Sequence, residues 1–235
     1  MIGLQFACEI EGRMNGHAKN MHFKKSMTSI ATLLSFLLLM GVHSTRTVGA
    51  SRNQPCRKTL QRTFKLAKVV QSEASELFII YKASQGEGSE FLCKAPVNNI
   101  PDPNISGLEA SERISSIYTH LQSFIPHLKR VYEQQTDLQL PTSPLLPKLL
   151  GVSANSRNLA LSINDFYHRA FPNLPLPEPA GGPTTLPPPL NVFQQKVYGC
   201  MVLKTYKEFT SNISKEFKSF RGKVCRRTMK TNALF

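Results

Sequence analysis

The 235-residue chain is long enough for one medium-sized domain, and its 41% hydrophobic content excludes a sequence too polar to build a packed core. Its 29 Lys and Arg residues outnumber its 15 Asp and Glu residues, which gives a formal charge of +14. This excess should attract polyanions or acidic partners, and it influences affinity and association rate rather than fold.

Residues 1–50 have the pattern of a signal peptide preceded by an N-terminal extension. Lys24 and Lys25 come before an apolar run at residues 30–40, which is shorter than the roughly 20 residues of a membrane span. Small residues then match the small-x-small cleavage pattern at Ala50. We therefore predict cleavage near Ala50 and secretion into the extracellular space.

Two alternatives remain open for this segment. It could instead be an uncleaved membrane anchor or a buried helix, although no stop-transfer charges follow the apolar run. The extension before the basic pair leaves Met21 and Met27 as alternative start sites. With cleavage, we expect a four-helix domain at residues 51–222 and a basic C-terminal tail at residues 223–235.

Cysteines and glycosylation sequons fit an exported chain. Cleavage would remove Cys8 and leave Cys56, Cys93, Cys200 and Cys225. Four cysteines in such a chain indicate two disulfides, for which three connectivities are possible. Two sequons predict glycosylation in the same compartment, and they begin at Asn104 and Asn212.

The first predicted helix covers about residues 55–83. Its apolar positions advance by alternating steps of three and four, as one helical stripe does. They are Leu60, Phe64, Ala67, Val70, Ala74, Leu77 and Tyr81. Gly86 and Gly88 end the helix, and the long proline-containing loop that follows can connect two parallel helices.

The second predicted helix begins at Ser111 and ends near Thr136, with Pro126 inside it. Its stripe consists of Ile114, Ile117, Leu121, Phe124 (or Ile125), Leu128, Val131 and Tyr132. Because proline removes a backbone hydrogen bond, we expect a kink at this position. A short connection leads to a third stripe between residues 149 and 170, so the third helix should run antiparallel to the second.

A proline-rich stretch at residues 171–190 contains eight prolines, which predicts an extended second long connection. Asn191 should cap the fourth helix, with Gln194 completing a capping box. A stripe over residues 202–220 predicts that this helix ends near Gly222. Two long connections around a short one specify an all-α, four-helix up-up-down-down bundle, the arrangement of growth hormones and long-chain cytokines.

Motif searches of the sequence find no catalytic or metal-binding pattern. It contains no glycine-rich phosphate loop, G-x-S-x-G elbow, H-E-x-x-H or C-x-x-C pair. His120 and His127 lie two turns apart on one helix, whereas a metal-binding pair favours a single turn. We therefore predict neither an enzyme nor a metal or cofactor site.

Two segments resemble the interleukin-6 family of cytokines, in the branch of leukemia inhibitory factor and oncostatin M. Residues 76–87 (ELFIIYKASQGE) resemble the end of that family's first helix. Residues 191–200 (NVFQQKVYGC), with Leu203, Tyr206 and Lys207 beyond them, look like the start of its fourth. The resemblance is only topological across the second and third helices. The third helix also lacks the cysteines expected there, and Cys225 lies beyond the usual end.

The resemblance implies a monomeric secreted cytokine that joins a leukemia-inhibitory-factor-type receptor to the shared glycoprotein-130 signalling chain, without a nucleic-acid partner. Phe193 and Lys196 are the expected anchors for the first receptor, with the alternative that Phe193 packs the start of the fourth helix onto the core. The expected face for the shared chain comprises Arg62, Lys65, Val69, Asn155, Asn158 and Ser162. An ordinary solvated helix face has the same composition and remains the alternative there.

The expected topology, together with the resemblance for the first pair, implies two disulfide pairings. Cys93 should join Cys200 at one pole, and Cys56 should join Cys225 at the other; the alternative for the second pair is that Cys225 stays free or pairs between chains. The C-terminal basic residues predict heparan sulfate as a further partner; they are Lys218, Arg221, Lys223, Arg226, Arg227 and Lys230. A basic heparin-binding matrix or antimicrobial protein is the alternative function.

Overall fold

The computed structural model describes residues 54–175 and 190–227. The predicted signal peptide, most of the second connection and the chain beyond residue 227 lie outside these ranges. The described residues form helices and no strand. The helices are α1 (Gln54–Ser84), α2 (Ser89–Leu92), α3 (Ala110–Leu138), α4 (Leu145–Ala170), α5 (Val192–Phe220) and α6 (Val224–Arg227).

The four long helices form the bundle, and every pair that packs together extensively is antiparallel. α1 packs against α4 and α5, and α3 packs against the same two helices. The parallel pairs α1 with α3 and α4 with α5 therefore lie on the diagonals. This arrangement confirms the predicted all-α up-up-down-down bundle.

Hydrogen bonds from side chains cap the first turns of α5 and α3. α5 begins at the predicted capping box, where the Gln194 N–H donates to Asn191 Oδ1 at 2.9 Å and the Asn191 N–H donates to Gln194 Oε1 at 3.0 Å. α3 begins one residue before Ser111, and the Glu112 carboxylate accepts N–H bonds from Leu108 and Glu109. These hydrogen bonds lower the pKa of the Glu112 side chain. α3 also continues through Pro126 to Leu138.

The core is the predicted set of stripes, reinforced by aromatic contacts. Every predicted stripe residue of α1 is buried except Phe64, which is half-buried. Phe124 of α3 stacks on Phe209 of α5 with ring centroids 5.1 Å apart, and it meets Tyr206 at 5.4 Å. These contacts fix α5 across the centre of the bundle.

Two disulfides link the N-terminal half of the bundle to its last helices: one joins the segment after α2 to α5, and the other joins α1 to α6. Cys93 and Cys200 are joined at what we call the upper pole, with Cα atoms 5.1 Å apart. Cys56 and Cys225 are joined at the lower pole, with Cα atoms 5.9 Å apart. These are the two pairings that the sequence analysis gave. Val224 and Cys225 lie beyond the boundary predicted at residue 222 and are nevertheless buried in the core.

Candidate functional site

An exposed apolar pair marks the first turn of α5 at the upper pole. Phe193 is 64% exposed and Val192 is 54% exposed. Lys196, one turn after Phe193, is half-buried and has no ion-pair partner within the described part of the chain. The predicted receptor anchors Phe193 and Lys196 thus lie together on neighbouring positions of one helix, outside the core.

This turn is held in place by contacts with α1 and the first connection. The Tyr81 hydroxyl donates a hydrogen bond of 2.9 Å to the Lys196 carbonyl oxygen. Gly199 packs against the same ring so closely that an added Cβ would lie 2.8 Å from Tyr81 Cζ. The Tyr81 side chain is fully buried, which raises the pKa of its hydroxyl. Together with the Cys93–Cys200 disulfide, these contacts position Phe193 rigidly.

The predicted α1 residues of the second receptor face are accessible. Arg62 and Lys65 are exposed, and Val69 is 47% exposed. On α4, Asn158 is exposed as well. These four residues present a mixed basic, apolar and amide surface.

The other two predicted residues of that face link the helices instead. Asn155 Nδ2 donates to both carboxylate oxygens of Glu73, at 3.0 and 2.8 Å. Ser162 Oγ and Thr63 Oγ1 are hydrogen-bonded at 2.8 Å. Because these polar groups already have partners within the bundle, they contribute to α1–α4 packing more directly than to a receptor contact.

The two sequons lie beside one another. Asn104 is exposed in the first connection. Asn212 is half-buried on α5, and its Nδ2 atom donates to the Pro103 carbonyl oxygen at 3.1 Å. The two glycosylation sites that the sequence predicts therefore differ in accessibility, and Asn104 offers the freer amide.

Sequence reasoning missed an apolar cleft at the upper pole. Ile80 and Ala83 of α1 face Leu140 and Pro144 of the short connection across this cleft. Leu140 is 74% exposed. A signal existed in the sequence, because Leu140 is a large apolar residue that belongs to neither neighbouring stripe.

The described histidines serve packing. His127 is buried, with Nδ1 2.7 Å from the Tyr198 hydroxyl, and His120 is half-buried beside Ser116. Burial lowers the pKa of both imidazoles. Within residues 54–175 and 190–227, no cluster of His, Cys, Asp and Glu could hold a metal ion. No described helix combines the length and apolar character that a bilayer crossing requires.

Comparison with known protein families identifies the family to which this helical bundle belongs. The family model described as the LIF / OSM family matches residues 58–217, more than half of the chain. The comparison with curated proteins finds no match. The family, named for leukemia inhibitory factor and oncostatin M, consists of typically secreted cytokines and not of enzymes. The chain therefore belongs to the LIF / OSM family and is a cytokine of the interleukin-6 family.

Proposed function

We propose that this chain is a secreted, non-enzymatic cytokine that brings together a leukemia-inhibitory-factor-type receptor and the shared glycoprotein-130 signalling chain. The observation that carries the proposal is the exposed Phe193 on the pinned first turn of α5. A soluble protein gains nothing in stability from holding a large aromatic side chain in water. Its placement beside a cation instead fits a recognition site.

The chemistry of this pair suits a receptor pocket. The Phe193 ring can fill an apolar pocket, while the Lys196 ammonium meets carbonyl or carboxylate oxygens at its rim. Because Tyr81 and the Cys93–Cys200 disulfide already hold the turn, little backbone entropy is lost on binding. This favours the upper pole as the site for the leukemia-inhibitory-factor-type receptor.

A second receptor requires a second surface. Arg62, Lys65, Val69 and Asn158 lie exposed on α1 and α4, away from the first turn of α5. We assign the shared signalling chain to this surface, so that one monomeric ligand can hold two receptors at once. Asn155 and Ser162 would support the surface from within the α1–α4 contact.

The upper-pole assignment can be tested with a matched control from the same chain. Phe91 and Lys94 have the same spacing as Phe193 and Lys196, and Phe91 is 77% exposed with the Lys94 Nζ 5.8 Å from its ring centroid. Phe193→Ala with Lys196→Ala should cost about 2–4 kcal/mol of receptor affinity, or about 30- to 1,000-fold. Phe91→Ala with Lys94→Ala should leave affinity for this receptor unchanged.

Surface binding to immobilised receptor domains and thermal melting should be measured on both double variants. Equal losses of affinity in the two, or loss of melting temperature in step with affinity, would contradict the assignment. Charge reversal at Arg62 and Lys65 should weaken recruitment of the shared chain only. Phosphorylation downstream of the shared chain, compared in cells with and without it, separates this function from a matrix or antimicrobial protein that acts without receptors.

A further inference from the structure

At the contact between α1 and α5, two cations approach one aromatic ring near the lower pole. Lys68 Nζ lies 5.8 Å from the centroid of the Phe64 ring, and Arg221 Cζ lies 5.5 Å from it. Lys68 is one turn after Phe64 on α1, whereas Arg221 directly follows the end of α5. We call this arrangement the lower clamp.

The same arrangement recurs towards the upper pole. Two cations approach the Phe78 ring, with Lys82 Nζ 5.4 Å and Lys207 Nζ 5.2 Å from its centroid. Lys82 is again one turn after the aromatic residue, and Lys207 again comes from α5. We call this the upper clamp.

The two clamps form a regular repeat along the α1–α5 groove. Corresponding residues are 14 positions apart on both helices, from 64 to 78, from 68 to 82 and from 207 to 221. Because α1 and α5 are antiparallel, these equal spacings bring the clamps into register. At 1.5 Å per residue they lie about 21 Å apart.

The clamped cations keep their charge available. A ring orients a cation through its quadrupole but does not neutralise it, unlike a carboxylate. Within the described ranges, Lys68, Lys207 and Arg221 have no ion-pair partner, whereas Lys82 is paired with Glu90. The groove is thus a line of positioned positive charges rather than a set of internal salt bridges.

Surrounding residues strengthen the positive field. From residue 54 to residue 72, α1 contains no acidic residue and five basic ones, which are Arg57, Lys58, Arg62, Lys65 and Lys68. Lys218 and Lys223 are exposed at the lower end of α5. Of the two acidic residues of α5, Glu216 is already paired with Arg113 of α3, which leaves Glu208 exposed.

We infer that the α1–α5 groove binds a sulfated polysaccharide of the heparan sulfate class, which lies along the groove across both clamps. A linear polyanion matches a line of charges about 21 Å long, and binding releases its condensed counterions. The lower clamp leads directly into the predicted basic tail. The proposed polysaccharide site is the folded α1–α5 surface, and the predicted tail is not part of it.

The groove is poorly suited to nucleic acid. Single-stranded nucleic acid needs aromatic faces on which its bases can stack. Phe78 is buried, Phe64 is half-buried, and cations approach both rings. Sulfate groups need only positioned cations, which the groove supplies.

The rings and cations of the two clamps lie outside both proposed receptor surfaces. Thr63 and Glu73 mark the side of α1 that contacts α4, whereas Phe64 and Phe78 mark the side that meets α5. Phe193 lies beyond the upper clamp, at the opposite end of α5 from Arg221. The inference is independent of receptor identity, because polysaccharide binding can be measured on the purified chain alone.

Three variants of the full secreted chain test the groove. The groove variant carries Lys68→Gln, Lys207→Gln and Arg221→Gln. The control variant removes the same charge from α3 and α4 through Lys129→Gln, Arg157→Gln and Arg169→Gln. A charge-conserving variant carries Lys68→Arg, Lys207→Arg and Arg221→Lys, and it should bind like the parent chain. Thermal melting checks that each variant is folded.

The first measurement is the salt concentration at which each protein elutes from a heparin column and from a plain sulfopropyl column. The second is the affinity of each protein for heparin as a function of salt concentration. For the groove variant we expect the slope of log affinity against log salt to fall by about two to three, with a specific loss of retention on heparin. Equal behaviour of the groove and control variants would overturn the inference. So would equal shifts of the groove variant on the two columns.

A tail variant separates the groove from the C-terminal segment. It carries Arg226→Gln, Arg227→Gln and Lys230→Gln in the same chain. If this variant lost all heparin retention while the groove variant kept it, the groove assignment would be wrong. Heparin fragments of graded length should bind more tightly until they span both clamps, and single-stranded DNA of equal charge should compete poorly. Equal competition by such DNA would indicate a general polyanion surface instead.

Discussion

Each pole of the bundle has one disulfide, but the two poles differ in the burial of their aromatic side chains. At the lower pole Phe217 and Phe220 are buried beneath the Cys56–Cys225 bridge. At the upper pole Phe193 is exposed above the Cys93–Cys200 bridge. The lower pole therefore buries its aromatic side chains in the core, whereas the upper pole exposes the aromatic side chain for which we propose a receptor contact.

The contrast between the poles predicts the largest loss of stability when a buried aromatic side chain of the lower pole is truncated. Phe217 is fully buried and meets Phe166 at 5.8 Å and Phe220 at 5.6 Å between ring centroids. Phe217→Ala should cost about 3–5 kcal/mol of unfolding free energy because it leaves a cavity. Phe193→Ala should change that free energy by no more than about 0.5 kcal/mol. Denaturant unfolding of both variants measures the difference, and similar losses would remove the contrast between the poles.

Removal of each disulfide should sharpen the contrast. Cys93→Ser with Cys200→Ser opens a loop with a sequence separation of 107, and Cys56→Ser with Cys225→Ser opens one of 169. Each pair should cost about 2–5 kcal/mol of stability. Only the upper pair should also weaken binding of the leukemia-inhibitory-factor-type receptor by folded protein. Equal receptor affinities for the two folded variants would show that the upper bridge does not position Phe193.

A smaller loss of stability is expected from changes at the close contact between Gly199 and Tyr81. Gly199→Ala would place a Cβ against the Tyr81 ring, and we expect a cost of about 1–3 kcal/mol. Tyr81→Phe removes the hydrogen bond to the Lys196 carbonyl and should cost about 1 kcal/mol. Thermal melting and receptor binding should both respond to Gly199→Ala. Gly151→Ala is the control, because a Cβ at that helical glycine meets nothing within 4 Å.

The smallest predicted effect is a pH dependence of stability, and it comes from His127, which contacts Tyr198 in the upper half of α5. Burial lowers the pKa of His127 in the folded state, so below about pH 6.5 the unfolded chain binds a proton that the folded chain does not. Stability should therefore decrease as pH falls from about 6.5 towards the lowered pKa. His127→Gln should flatten this dependence, whereas the exposed His168→Gln should not. Melting temperatures between pH 7 and pH 5 provide the measurement, and identical profiles for the two variants would contradict it.

The sequence predicted the long helices, which have a repeating apolar stripe, and the helix ends that carry a capping or glycine signal. The stripe from Leu60 to Tyr81 revealed α1, and Asn191 with Gln194 located the start of α5 within one residue. α2 was missed because four residues are too short to show a period. Gly222 looked like the end of the bundle, yet Val224 packs into the core because the Cys225 disulfide returns the chain to α1.

The candidate site was harder to predict because polar helix residues look alike in sequence. Asn155 and Asn158 occupy neighbouring positions on one helix, but only Asn158 is exposed, since Glu73 lies opposite Asn155. The line along which two helices touch is not encoded in the pattern of either one. The exposure of Phe193 was easier to predict, because this aromatic residue lies outside the core stripe of its helix.

The diagonal placement of the parallel helices also determines how the molecule can be assembled during synthesis. α1 is the first of the described helices to be synthesised, yet its extensive partners are α4 and α5, and the disulfide of its Cys56 spans a separation of 169 residues. Contacts so distant along the chain slow folding and delay the burial of apolar surface. The apolar stripe of α1 therefore stays unburied until most of the chain has been synthesised.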